Sequence, residues 1–278
     1  MSSELKKLYI FFIITLFIFV IAFPYVFFHI NNGINYVHVK SLMALKETNH
    51  TNVNIYDNKG NIIIMFDDGW KSQFTVGYDY MNKKNMVGSV SIIPQMIDEI
   101  DYMNKGDLYT LYYNDWDLLN HTYSHKNLNE INKEAQFYEI SRADDWLYKN
   151  GFIGSSKTLV YPEGDYNSDT EDILKQLSYA SGRSIVEGFN TKNPPNFHEI
   201  KVKNVLSTTS VTDICSWIDY AIENNLTLIL LFHMLEDNSN GTLMKYRKDD
   251  FYKIIDYVDE KRDGLNIINY SDWIQTIK

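Results

Sequence analysis

Short apolar runs alternate with segments of helical periodicity along most of this chain, and this alternation constrains the fold most. The first run, Asn61 to Phe66, is rich in β-branched residues and has the length of a strand buried on both faces. Further strands are predicted at 87–93, 117–120, 158–161, 226–232 and 265–268. Helices are predicted between them at 97–105, 129–149, 168–177, 212–225 and 251–258.

Strands that alternate with helices predict βα units and a parallel sheet. Two helix predictions have local support: Ser168 with Glu171 forms a capping-box pattern, and Gly151 follows the helix that ends near Lys149. Seven or so strands over this length suit a closed barrel better than an open sheet. The sequence therefore predicts an α/β fold, a barrel of parallel strands, over residues 55–278.

An apolar segment near the N-terminus, residues 8–28, contains no charged residue. A helix of about 20 such residues can cross a membrane, whereas a secretory signal has a shorter apolar region of about 7–15 residues. Lys6 and Lys7 precede the segment, which predicts that the N-terminus lies inside. We therefore expect an uncleaved single-pass anchor at 1–30, a polar stalk at 31–54, and a membrane protein whose catalytic domain lies outside the cell.

Charge and cysteine content exclude some classes of partner and fold. The formal net charge is −10, so the chain as a whole does not attract phosphate backbones, and we expect no nucleic-acid partner. The single cysteine, Cys215, cannot form an internal disulfide. Hydrophobic residues make up 45% of the chain, enough for a sizeable core on which the fold must depend.

A pair of carboxylates, Asp67 and Asp68, follows the first predicted strand and precedes Gly69. In parallel α/β folds, sites form at the C-terminal ends of strands. Two adjacent carboxylates there are costly unless a cation neutralises them. One could bind a metal while the other acts as a base. The alternative is a tight turn, because Asp-Gly is a common turn pair.

Histidines follow two other predicted strands. His121 and His125 are four residues apart and can share one metal. Thr122 stands where a zincin protease has glutamate, so that class is disfavoured. His233 ends the apolar strand at 226–232. A lone histidine at such a place is more often structural, so its interpretation depends on the other two clusters.

Together these clusters resemble the polysaccharide deacetylase family with the NodB homology domain, a carbohydrate esterase type. The matching stretches follow the family's order and include a further stretch around Pro162, the third along the chain. They are Ile63-Ile64-Met65-Phe66-Asp67-Asp68-Gly69-Trp70, His121-Thr122-Tyr123-Ser124-His125, Tyr161-Pro162-Glu163-Gly164-Asp165-Tyr166-Asn167 and Leu231-Phe232-His233. The joint pattern is specific, although no single stretch is.

The resemblance implies a distorted (β/α) barrel and a role for each matching position. Asp67 falls on the catalytic base and His233 on the general acid. The implied metal ligands are Asp68, His121 and His125. The metal would be zinc, with cobalt or nickel as alternatives for such a ligand set. The implied oxyanion and substrate positions are Tyr161, Pro162, Glu163 through its backbone N–H, and Leu231 as a wall of the acetyl pocket.

The chemistry of these residue types agrees with the implied activity. A divalent ion lowers the pKa of its bound water to about 7 in favourable sites, and Asp67 would accept a proton from that water. A charged His233 would protonate the amine leaving group. We expect a metal-dependent hydrolase that removes N-acetyl groups from N-acetylglucosamine-type residues of a cell-surface or extracellular polysaccharide. The alternatives are a carbohydrate O-acetyl esterase and a catalytically inactive, membrane-anchored glycan-binding module.

Two features depart from the family's commonest pattern. The arginine that often stands two residues before the motif's proline is replaced by Val160, which leaves open what orients Asp67. Arg183 is a candidate substitute, and a surface arginine is the alternative. For the family's fourth motif the only candidate is Asp213 with Trp217, a pair that an ordinary amphipathic helix also explains. The sequence does not identify the polymer.

Overall fold

The structure, a computed structural model, describes residues 58–153, 157–238 and 241–277. Seven parallel strands close into a barrel in sequence order, because β1 pairs with β2 on one edge and with β7 on the other. They are β1 (Gly60–Phe66), β2 (Ser89–Ile92), β3 (Asp117–Asn120), β4 (Thr158–Val160), β5 (Ser181–Glu187), β6 (Ile200–Asn204) and β7 (Thr227–Phe232). The prediction of an α/β barrel of parallel strands is confirmed.

Helices connect the strands of the barrel. They are α1 (Asp79–Asn82), which continues a π-helical segment at Gln73–Tyr78, α2 (Lys105–Tyr113), α3 (Lys133–Lys149), α4 (Ser168–Gln176), α5 (Val211–Glu223), α6 (Lys248–Glu260) and α7 (Tyr270–Thr276). Short 3-10 turns lie at Pro94–Met96, Leu128–Glu130, Pro162–Gly164 and Arg262–Gly264. Two short strands, β8 (Met234–Glu236) and β9 (Lys245–Arg247), pair with each other after β7. The last strand, β10 (Leu265–Ile267), pairs with the first half of β1.

Alternation along the strands divides the core into an outer and an inner layer. In β1, the side chains of Ile62 and Ile64 point outward and pack against the helices, which forms the outer layer. Those of Ile63 and Met65 point into the barrel and form the inner layer. The same alternation continues along β7. Both faces of these strands are buried, which is why each appears in the sequence as a continuous apolar run.

Helix α7 closes the barrel at the end where the strands begin. The side chains of Tyr270, Trp273 and Ile274 are fully buried in the interior cluster. The backbone N–H of Tyr270 donates to Oγ of Ser89, the first residue of β2, at 2.8 Å. The opposite end of the barrel, where the strands finish, is the end at which parallel barrels form their sites.

We expect Trp273→Ala to lower the free energy of unfolding by about 3–5 kcal/mol, because truncating a fully buried aromatic side chain leaves a cavity. Chemical denaturation of the full-length chain measures this loss. Trp217→Ala, which truncates a half-buried indole on α5, serves as the matched control and should cost much less. Equal losses would mean that α7 does not seal the barrel.

One predicted helix and two strands differ from the expectations. The predicted helix at 97–105 is wrong, because α2 begins only at Lys105. Asp98 and Asp101 have φ of 74° and 68°, which interrupts a right-handed helix. A reciprocal capping box between Asn104 and Asp107 then starts α2. Strands β5 and β6 were not predicted individually, since neither forms an apolar run.

The predicted anchor at 1–30 and stalk at 31–54 lie outside the described residues. Within the described part of the chain, no helix has both the length and the apolar composition needed to cross a membrane. The anchor, the stalk and the domain boundary at residue 55 therefore stay predictions.

Candidate functional site

Three side chains converge at the C-terminal end of the barrel. Asp68 follows β1, and His121 and His125 follow β3. Nε2 of His121 lies 3.4 Å, and Nε2 of His125 3.5 Å, from Oδ1 of Asp68. One ligand atom of each residue lies within 4.8 Å of the other two. A carboxylate oxygen and two imidazole nitrogens so placed are a donor set suited to zinc and similar divalent ions.

His121 is oriented by the nitrogen that faces away from Asp68. Its Nδ1 lies 2.8 Å from the carbonyl oxygen of Val160. A carbonyl only accepts hydrogen bonds, so Nδ1 carries a proton; a neutral His121 would then present the lone pair of Nε2 to a metal, whereas a protonated ring donates from Nε2 to Asp68. Val160 thus contributes its main chain to the site.

The loop that carries the two histidines is held in an unusual backbone conformation. Thr122 and His125 both have φ of 60°, which is rare for residues other than glycine. The N–H of Thr122 donates to Oδ1 of Asn120 at 2.8 Å, and the N–H of His125 donates to Oγ1 of Thr122 at 3.1 Å. Both the N–H and the hydroxyl of Ser124 donate to the buried carboxylate of Glu139 on α3, each at 2.8 Å. Helix α3 therefore holds the loop that carries both histidines.

Asp67 ends β1 and is almost fully buried beside this donor set. Ser91 on β2 donates to its Oδ1 at 2.7 Å, and Nη2 of Arg183 forms a short ion pair with its Oδ2. Arg183 lies on β5 and has no exposed surface. Burial raises the pKa of Asp67, but the charges of Arg183, His121 and His233 outweigh it and hold the pKa below its usual value. The carboxylate is therefore ionised and available to accept a proton.

The two members of the donor set nearest the opening, Asp68 and His125, also have displaced pKa values. Burial raises the pKa of Asp68, but the hydrogen bond and charge of His121, with the charges of His233 and His125, bring it well below its usual value. Burial, then the neighbouring His121, lower the pKa of His125. An ionised carboxylate and a neutral imidazole are the forms that bind metals.

His233 follows β7, and its main chain is tied to that of Asp67. The side-chain amide of Gln73 donates to the carbonyl oxygens of both residues, at 3.1 Å for His233. Nδ1 of His233 is buried and has no hydrogen-bond partner among the described residues. Asp213 does not supply one, because its exposed carboxylate accepts from the hydroxyl of Ser210 at the start of α5. The helical explanation of Asp213 is therefore the correct one.

The third matching stretch forms a tight turn after β4. Glu163 has φ of 58° within the turn Pro162–Gly164, and its side chain is exposed. Asn127, in the segment after the histidine loop, donates to the carboxylates of Glu163 and Asp165, both at 2.9 Å. These bonds join the loops that follow β3 and β4, and the oxyanion role of the Glu163 N–H stays a prediction.

The side chains of Tyr161 and Leu231 are buried and do not reach the opening. Tyr161 stacks on Tyr166 with ring centroids 4.4 Å apart, and its hydroxyl donates to the carbonyl of His198 at 3.0 Å. The role of Tyr161 at the substrate or oxyanion position stays a prediction. Leu231 is 1% exposed and packs in the upper barrel interior with Val160. Its role as a pocket wall stays a prediction.

Sequence reasoning missed Ser91 and left Arg183 as one of two alternatives. A signal for Ser91 exists, since Ser89 and Ser91 alternate with apolar Val90 and Ile92, which puts both serines on one face of β2. For Arg183, no local pattern distinguishes a buried from a surface arginine. Its partner, Asp67, is brought to it only by the closed barrel.

Sequence comparison with known proteins points to polysaccharide deacetylases. Residues 55–182 match the sequence model of the polysaccharide deacetylase family. The curated relative "Putative polysaccharide deacetylase YxkH" of Bacillus subtilis (strain 168) is 22% identical over 148 residues, which cover 52% of this chain. The match spans about half the length of YxkH, 53%.

Solved structures share the fold. A family 4 acetyl xylan esterase from Clostridium thermocellum, in complex with a cobalt ion, superposes with a TM-score of 0.54 at 13% identity over 77% of this chain and 90% of its own. The Bc1960 peptidoglycan N-acetylglucosamine deacetylase gives a TM-score of 0.54 at 15% identity over 78% and 89%. At these identities the likeness is one of fold.

Proposed function

We propose, on the premise that residues 55–182 belong to the polysaccharide deacetylase family, that this protein is a metal-dependent hydrolase of N-acetylated polysaccharide. Its substrate groups would be the N-acetyl groups of N-acetylglucosamine-type residues. The observation that carries the proposal is the ionised carboxylate of Asp67 beside the converging donors of Asp68 and the two histidines. A base next to a metal-binding set is the arrangement that hydrolysis of an amide requires.

The donor set fits zinc, cobalt or nickel by its chemistry, two imidazoles and one carboxylate. A divalent cation held there would supply Lewis-acid activation of a water molecule and of the acetyl carbonyl. Val160 and Glu139 support this fit, since they direct His121 and the histidine loop toward Asp68. Ordering of ligands by such outer contacts is a general property of metal sites.

The chain's own residues move the protons. Asp67 accepts a proton from water as the new C–O bond forms, while Arg183 and Ser91 keep its carboxylate in place. The backbone N–H of Glu163 donates to the oxyanion that develops on the acetyl carbonyl. Protonated His233 donates to the departing nitrogen as the C–N bond breaks.

A carbohydrate O-acetyl esterase is the second candidate, and the acetyl xylan esterase with the same fold favours it. With the same base and donor set, water could equally attack an ester. The alkoxide that leaves an ester also needs a proton. The peptidoglycan N-acetylglucosamine deacetylase is equally similar in fold. An assay on both kinds of substrate therefore distinguishes amide hydrolysis from ester hydrolysis.

The N-terminal sequence supports a proposal for the location of the enzyme. Residues 8–28 carry no charge and Lys6 and Lys7 precede them. Such a segment supports a single-pass anchor with the catalytic domain outside the cell. A cell-surface or extracellular polysaccharide would then be the accessible substrate.

We expect acetate release from N-acetylglucosamine oligomers by the full-length chain to fall to background in excess chelator and to return when Zn²⁺, Co²⁺ or Ni²⁺ is restored. O-acetylated xylan is assayed in parallel. His125→Ala should lose both metal binding and activity, whereas Lys126→Ala, the adjacent exposed position, should keep both.

Undiminished release in chelator would contradict the metal dependence. Release from xylan alone would identify an esterase. A metal-loaded protein that released acetate from neither substrate would favour the inactive glycan-binding module.

A further inference from the structure

Trp70, two residues beyond Asp68, directs its indole N–H at the metal-binding carboxylate. Nε1 of Trp70 donates to Oδ2 of Asp68 at 2.9 Å. The other oxygen, Oδ1, is the one that faces Nε2 of His121 and of His125. The two oxygens of one carboxylate therefore have separate partners, one in the donor set and one in the indole.

The indole is itself held in position. Its ring stacks on that of Tyr102, with centroids 4.2 Å apart and planes 25° from parallel. The main chains of the two residues form an antiparallel bridge. On either side of it, the N–H of Lys71 donates to the carbonyl of Asp101 at 2.7 Å, and the N–H of Met103 to that of Gly69 at 2.9 Å. Rotating the indole away from Asp68 would break the ring stack.

An indole N–H only donates, so Trp70 cannot itself bind a cation. Its hydrogen bond limits the carboxylate in two ways: it fixes the rotation of Asp68 about its side-chain bonds, and it occupies Oδ2. Without it, the carboxylate could turn away from the histidines or offer both oxygens to one ion. The hydrogen bond therefore selects a single arrangement of the ligand.

We propose that Trp70 is a positioning residue that holds Asp68 as a one-oxygen ligand, with only Oδ1 directed at the metal. The proposal rests on the proposed function, in that Asp68, His121 and His125 must bind a divalent ion. It concerns Trp70 as a determinant of metal affinity and coordination number.

Zn²⁺ titration of the full-length chain against a chromogenic chelator, without substrate, tests the proposal. Trp70→Phe keeps an aromatic ring over Tyr102 and removes the N–H, and we expect about 10–100-fold weaker Zn²⁺ binding. Trp70→Leu provides a second variant that also lacks a side-chain donor. Trp217→Phe, a tryptophan on α5 outside the site, should bind as the wild type does.

Co²⁺ absorption adds a measurement that a general loss of stability would not change. A carboxylate that binds through two oxygens raises the coordination number, so the visible bands of Co²⁺ should weaken and shift in both Trp70 variants at saturating metal. Wild-type Zn²⁺ affinity and an unchanged Co²⁺ spectrum in a folded Trp70 variant would overturn the proposal.

The outcomes for the wild type separate the two proposals. A wild-type chain that binds Zn²⁺ but releases no acetate would contradict the proposed deacetylase activity. The Trp70 variants would still decide the role of Trp70 in metal binding. A wild-type chain that binds none of Zn²⁺, Co²⁺ and Ni²⁺ would overturn both.

Discussion

Asp67→Asn is expected to lower kcat for acetate release by about 10²–10⁴-fold, the usual contribution of a general base. The amide has nearly the same shape as the carboxylate but cannot take a proton from water near neutral pH. Ser91 can still donate to the amide oxygen, but the variant also breaks the buried ion pair with Arg183, so a loss of folding stability should accompany the loss of activity. Zn²⁺ affinity should change little, because Asp68 and the two histidines are untouched.

The measurement is acetate release at saturating substrate, together with Zn²⁺ titration of the same preparations. Asp145→Asn, on the exposed face of α3 where its carboxylate pairs with Lys149, is the matched control and should retain wild-type kcat. An Asp67→Asn variant that kept most of its activity would remove Asp67 from the role of base. A loss of Zn²⁺ binding instead would mean that Asp67 is a ligand.

Arg183→Met is expected to have a large effect on both stability and activity. Arg183 and Asp67 form an ion pair with almost no solvent exposure. Removing one partner of a buried pair leaves the other charge uncompensated, which typically costs about 3–5 kcal/mol of folding free energy. In the variant, burial would dominate and raise the pKa of Asp67, so less of the base would be ionised at neutral pH.

The pH dependence of that loss has a definite sign. In the wild type the folded-state pKa of Asp67 lies below its unfolded value, so the pair stabilises the fold above the unfolded pKa, and this stabilisation is lost as pH falls through the folded pKa. In Arg183→Met we expect burial to raise the folded-state pKa above the unfolded value, so the deficit should shrink as pH falls toward the unfolded pKa. Denaturation at several pH values measures both trends.

A double variant provides the control for this prediction. Adding Asp67→Asn to Arg183→Met removes the unpaired charge, so it should recover part of the lost stability but none of the activity. If the double variant were as unstable as the sum of the single variants, lost packing of the arginine side chain, and not charge, would explain the effect.

The sequence predicts those parts of the fold whose burial is uniform. Strands β1 and β7 are buried on both faces and therefore appear as unbroken apolar runs. Strand β5 includes Ser181, Gly182 and Arg183, and its last three residues are exposed, so no apolar pattern marks it. The clustering of Asp68 with the two histidines was predictable because the ends of parallel strands meet.

The side-chain contacts that hold Asp67 and Asp68 in position could not be predicted in this way. The ion pair of Arg183 with Asp67 joins residues 116 positions apart, and it depends on closure of the whole barrel. The hydrogen bond from Trp70 to Asp68 spans only two positions, but it depends on the rotamer that the stack on Tyr102 selects. Long-range closure and side-chain rotation are the two properties that residue periodicity does not contain.

The position of β1 in the sheet bears on how the polypeptide reaches its native state. Asn61 bonds through its side chain to Thr227, 166 residues later, and to Asn266, 205 residues later. Contacts between residues so far apart slow folding, because a long loop must close before they form. During synthesis β1 therefore emerges long before two of its partners, with an isoleucine-rich edge open to mispairing. Until those later strands are made, the nascent chain depends on other means of keeping that edge covered.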